Sequence, residues 1–160
     1  VDAAMGTEKT SWEEAKADIL GLFMVCRLIE KGEITNITVE DAITTYIAGI
    51  LRSVRFGAAS SHGKANMMCF NYMEQLGAFS RNAEGLYTID FAKAKQAINS
   101  WADLIITTQG NGDVEFATEF REKNGGITPA LQADLDRINN AGIPKDIQFI
   151  QGYDVLFGKN

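Results

Sequence analysis

Residues 11–29 read SWEEAKADILGLFMVCRLI. Trp12, Ile19, Phe23 and Cys26 recur at three-, four- and seven-residue steps, the period of a helix that buries one face. The spacing predicts one long helix from about Ser11 to Lys31, closed by Gly32. Its opening is unusual, because Glu13, Glu14 and Asp18 place three carboxylates in six positions. Glu14 and Asp18 are four apart and share a helical face, where like charges cost about 0.2–0.5 kcal/mol. Two explanations compete. Ser11 and Glu14 fit a capping box, and acids near a helix N-terminus gain from its dipole. Alternatively, the acids hold something positive.

Outward from this helix the pattern stays helical. Thr38 followed by Asp41 is a second capping box, and Ile43, Ile47, Ile50, Leu51 and Val54 carry a helix to about Phe56. Ser60 or Ser61 opens a third, SSHGKANMMCFNYMEQL, ended by Gly77. AFSRNAEGLYTID reads as a hairpin whose five-residue loop is Arg81–Gly85. Asp90 caps a fourth helix to about Thr108, and Asp113 starts a fifth that ends at Asn124. Thr128-Pro129 opens a sixth to about Asn139, and the tail IPKDIQFIQGYDVLFG reads as extended or irregular. The expected fold is mainly α, a bundle-like single domain over residues 1–160 with about six helices and one small β-hairpin.

Hydrophobic residues make up 46% and charged residues 22%, the balance of an ordinary globular protein. The net charge of −6 and the scatter of 15 Lys and Arg argue against a nucleic-acid partner. No run reaches the roughly 18 apolar residues of a membrane span, so no membrane partner is expected. Cys26 and Cys69 both lie in apolar helical runs and read as reduced core thiols. VDAAMGTEKT shows no signal-peptide pattern, which makes a cytoplasmic location the expectation. The chain opens on Val, consistent with a piece of something longer.

Single residues carry little chemistry alone. His62 is the one histidine, and neither HExxH, a G-x-S-x-G elbow nor a P-loop occurs. Met67, Met68 and Cys69 read as core, GNGD at 110–113 as a turn and cap, and Lys16, Arg52, Arg55 and Lys64 as surface charges.

Taken together, SWEEAKAD, SSHGKANMMCFNYMEQLGAF and GDVEFATEFREKNGG resemble, in kind and order, the dipeptidyl peptidase III (M49) family of zinc metallopeptidases. The resemblance runs from about Ser11 to Asn124 and is strongest to short, divergent members, some of them fused to Nudix-type proteins. In that family two histidines of an HExxGH motif and the second glutamate of a later acidic motif hold zinc. The resemblance therefore implies Glu14 as a zinc ligand, with Glu13 and Asp18 as flanking acids that orient the histidines. It implies His62 as the residue stabilising the transition state near the scissile carbonyl, and Lys64 and Asn66 as substrate-binding positions.

Two departures stand out. Asp18 is one methylene shorter than the family's usual Glu, and Asn66 replaces a usual Arg. The family's HExxGH lies a few tens of residues upstream, whereas this chain begins 13 residues before Glu14. What the resemblance implies is thus the C-terminal part of a peptidase catalytic domain. Its partners are the remainder of that domain and a peptide substrate, and it is inactive alone. The alternative is a non-catalytic helical accessory domain of a Nudix-associated protein.

Overall fold

The computed structural model describes residues 2–147, 149, 152 and 156–158. A one-turn helix α1 (Asp2–Met5) and a 3-10 turn (Gly6–Glu8) lead into α2 (Lys9–Glu30). α3 (Val39–Ser53) runs into a second 3-10 turn (Val54–Phe56), followed by α4 (Ser61–Gln75). The antiparallel hairpin β1 (Phe79–Arg81) and β2 (Tyr87–Ile89) precedes α5 (Phe91–Asn111), α6 (Val114–Asn124) and α7 (Pro129–Asn140). The expected six helices and one hairpin are all present. Part of the tail, 148, 150–151 and 153–155, lies outside the described residues; residues 143–147 are irregular.

Local chemistry sets most boundaries. Thr38 and Asp41 close the capping box, with Thr38 Oγ1 accepting from the Asp41 N–H at 3.0 Å and Asp41 accepting from the Thr38 N–H at 2.9 Å. Ser60, Asp90, Asp113 and Thr128 each accept from the N–H three residues on, satisfying donors that a helix start leaves without partners.

α2 is the central helix and packs against α3, α4 and α5. Trp12, Ile19 and Cys26 are buried in it, while Phe23 is half-buried. Around Trp12 gathers an aromatic cluster: Trp101 at 5.9 Å, Phe120 at 5.8 Å and Phe116 at 6.5 Å between ring centroids. Trp101 in turn stacks on Phe120 at 5.1 Å and meets Tyr72 at 5.2 Å. Both cysteines are free and buried, and desolvation pushes the Cys69 thiol up to about 12. Among the described residues no helix is long and apolar enough to cross a membrane.

Two expectations are corrected. The hairpin pairs Arg81 with Tyr87, so its five-residue loop is 82–86, one residue later than read from the sequence. Arg81 joins the strand because its guanidinium has a buried partner: Nε and Nη2 donate to Asp134 of α7 at 2.6 and 2.8 Å. The second correction concerns α2, which begins at Lys9 instead of Ser11. Ser11 lies inside the helix, where its hydroxyl donates to the Glu8 carbonyl at 3.1 Å, and it caps nothing. The start is moved upstream by residues 2–8, which dock onto α6 through an ion pair between Glu8 and Arg121 at 2.7 Å.

Asp134 also accepts from the Tyr87 hydroxyl at 2.8 Å. Gly85 has φ +75°, and a Cβ there would sit 2.8 Å from Asp134 Oδ1 and 2.7 Å from Arg137 Nη1. Only glycine suits both that backbone angle and that space. Hydrogen bonds from Arg81 hold the Asp134 carboxyl below its ordinary value, and the Tyr87 hydroxyl adds to this against the opposing effect of burial. A carboxyl that titrates lower when folded contributes stability above its unfolded value near about pH 4, lost as pH falls through the folded value. Asp134→Asn is expected to cost about 1.5–3 kcal/mol at neutral pH, the range for hydrogen bonds to charged groups. The deficit should shrink as pH falls through the carboxyl's lowered folded-state value, where the wild type itself becomes protonated. Urea unfolding at neutral pH and along an acid series checks both statements.

Candidate active site

Glu13, Glu14 and Asp18 lie well inside α2, which starts at Lys9 and has no side-chain cap. The capping explanation for the acids is thereby removed, since Ser11 is interior. Successive helical residues point about 100° apart, and the two neighbouring glutamates go different ways. Glu13 turns to α5, where its Oε1 accepts from Gln109 Nε2 at 2.8 Å and pairs with Lys16 at 2.7 Å. Glu14 turns to α4, and its Oε2 lies 3.2 Å from His62 Nε2.

His62 stands in the first turn of α4, held there by Ser60, whose hydroxyl accepts from the Gly63 N–H at 3.1 Å. Gly63 lets that turn press on the preceding bend: a Cβ there would overlap the Gly57 carbonyl oxygen and sit 2.8 Å from Ala58 Cα. The imidazole remains 66% exposed and the Glu14 side chain 31% exposed, so both are reachable from outside. Asp18 lies one turn along α2 from Glu14. Burial pushes its carboxyl above the usual value; the Glu14 charge adds to this, and His62 opposes it. The structure thus gathers Glu14, Asp18 and His62 at one surface and sends Glu13 to a different neighbour.

The two substrate-binding candidates separate as well. Asn66 is buried at 8% exposure, and its amide donates to Ser53 Oγ at 2.7 Å, tying α4 to the end of α3. It faces inward, so an arginine at this position would displace an internal bond. Lys64 is half-buried beside a polar cleft that Arg121 also borders. Sequence reasoning missed Gln109, Ser53 and the Glu8–Arg121 pair. Gln109 is 96 residues from Glu13 and Arg121 is 113 residues from Glu8, so no local pattern marks either.

The carboxylate of Glu14 is a suitable oxygen donor for zinc. Among the described residues, however, no group of three His, Cys, Asp or Glu side chains is arranged to hold a metal ion.

No family model matches the sequence. Nudix hydrolase 3 of Arabidopsis thaliana is 38% identical over 138 residues, which are 86% of this chain and 18% of that protein. DPP III from Caldithrix abyssi superposes with a TM-score of 0.87 at 29% identity, over 92% of this chain and 28% of that one. Dipeptidyl peptidase III from Corallococcus sp. strain EGB gives a TM-score of 0.84 at 32% identity, over 91% and 27%. The chain therefore spans only a fraction of each relative's length. In fold and in sequence it is similar to a segment of dipeptidyl peptidase III, and a peptidase-related domain is what its structure resembles.

Proposed function

We propose that this chain is the part of a zinc-dependent, dipeptidyl peptidase III-like exopeptidase that contributes Glu14 to the metal and His62 to the transition state. One observation carries the reading: Glu14, in the second turn of α2 with no capping duty, lies 3.2 Å from the imidazole of His62 on a surface open to solvent. A carboxylate and an imidazole on two separately anchored helices can address the same small group. When bound, zinc would polarise the scissile carbonyl and activate water. The chain's own residues do the rest. α2 and α4 fix the distance between carboxylate and imidazole, Asp18 adds a second carboxylate for orienting outside histidines, and His62 donates to the developing oxyanion. Zinc binding and peptide cleavage belong, on this reading, to the full-length protein and need an HExxGH motif elsewhere in it.

His62→Ala in the full-length protein tests the role of the imidazole. Loss of one oxyanion donor lowers kcat by roughly 100–1,000-fold. KM should change less, because the interaction is made mainly in the transition state. Steady-state release of dipeptides from an oligopeptide measures both, and unchanged kcat in a zinc-loaded variant overturns the assignment. The 38% identity to Nudix hydrolase 3 favours a second reading, a helical accessory domain without peptidase work. A full-length protein that folds, lacks HExxGH and releases no dipeptide would establish that alternative.

A further inference from the structure

Beside Glu14 and His62 lies a second feature that the catalytic reading does not use. A cleft of about 230 Å³ opens between the start of α2, the first turn of α4 and α6. Glu8, Thr10, Ser11, Ser61, Lys64 and Arg121 are among the residues that border it. Its charges do not cancel. The Arg121 guanidinium uses Nε for Glu8 at 2.7 Å; its terminal nitrogens donate no hydrogen bond among the described residues, and Nη2 has a looser ion pair with the exposed Glu122 at 3.8 Å. The Lys64 ammonium has neither ion-pair nor hydrogen-bond partner among them. Among the residues lining the cleft two cations face one carboxylate, Glu122 standing outside it in solvent, so the wall of this polar hollow is net positive on a chain of net charge −6. Such an arrangement attracts an anion, and a guanidinium edge with an ammonium beside it suits the planar carboxylate.

Position and size narrow the ligand further. Ser11 is three residues before Glu14 on α2, about 4.5 Å along the helix axis, and Ser61 adjoins His62. An extended peptide advances about 3.3 Å per residue, so the cleft lies one to two residues from a bond placed over Glu14 and His62. Whole-ligand pockets run to about 300–1,000 Å³, and this hollow holds a group and not a complete ligand. We propose that the cleft bordered by Lys64, Arg121 and Ser61 is a carboxylate-binding subsite for the substrate peptide, one to two residues from the scissile bond. The proposal rests on the peptidase reading and deepens it. Asn66 faces inward, and Lys64 and Arg121 supply the positive charge for substrate recognition.

The test measures equilibrium binding to the full-length protein by ligand-observed NMR and leaves hydrolysis aside. Three tetrapeptides with a free N-terminus and a non-hydrolysable bond after the second residue serve as probes: one with a free C-terminal carboxylate, one amidated with an internal aspartate, and one amidated and neutral. At least one acidic probe is expected to bind about tenfold more tightly than the neutral one, the scale of one charge-assisted contact. Which of the two does so identifies whether the carboxylate is a terminus or a side chain. Lys64→Met should erase that preference, whereas a purely structural lysine would shift all three affinities together. Equal binding of the three, binding of none at millimolar concentration, or a preference that survives Lys64→Met overturns the subsite. Any of these results leaves the peptidase reading standing on the Glu14 and His62 variants.

Discussion

Replacing Glu14 by alanine in the full-length protein is expected to lower kcat/KM for dipeptide release by more than about 100-fold and to strip its zinc. Loss of residues that merely support a metal ligand typically costs 10–100-fold in affinity or activity, and loss of the ligand itself should exceed that range. The stability of the fold should hardly change, because Glu14 is partly exposed and pairs with an exposed imidazole. The combination is diagnostic. Metal content by elemental analysis, activity and the urea midpoint are measured on one preparation, and only the first two should move. A variant that keeps stoichiometric zinc and full activity would remove Glu14 from the metal site. Glu13→Ala offers a contrast: its carboxylate is engaged by Gln109 and Lys16, so its loss should act on how α2 and α5 sit together.

The largest effect on stability is expected at Trp101. Its indole is fully buried, stacked on Phe120 and flanked by Trp12 and Tyr72. Trp101→Ala should cost about 3–5 kcal/mol, from lost transfer energy and from a cavity that ring-shaped neighbours on three helices cannot collapse to fill. In a chain of this size each kcal/mol lowers Tm by about 2–4 °C, so thermal unfolding should shift down by on the order of 10 °C. Trp101→Phe should cost much less. It keeps an aromatic face for Phe120, and the indole N–H it removes is buried without a hydrogen-bond partner among the described residues. A Trp101→Ala protein within about 1 kcal/mol of wild type would show that the cluster repacks freely.

Helices were legible wherever the chain announces its own start. Thr38, Ser60, Asp90, Asp113 and Thr128 are caps that act within three residues, so the sequence places them without tertiary information. The acidic run misled for the opposite reason. Ser11 and Glu14 have capping-box spacing, yet residues 2–8 extend the helical path upstream because Glu8 finds Arg121 across the fold. The hairpin register slipped by one residue for a similar cause, the bidentate grip of Asp134 on Arg81. At the site, the motif pattern pointed to Glu14, Asp18 and His62, and the fold puts them at one surface. It could not show that Glu13 turns away toward Gln109 or that Asn66 is enclosed by Ser53, since both partners belong to other helices.

The close seating of Gly63 on the 57–58 bend has a mechanical consequence. With backbone against backbone there is no side chain to act as a compliant spacer, so the first turn of α4 and the 54–58 segment must travel as one body. Arg55, within that segment, reaches the far end of the chain: it donates to Asn139 Oδ1 and to the carbonyls of Ile143 and Pro144. The first turn of α4, which carries His62, is thus linked through the 57–58 bend and Arg55 to the C-terminal end of α7. A displacement near residues 139–144 is therefore expected to be felt at that turn. The Glu14–His62 gap is the joint that would open or close in response.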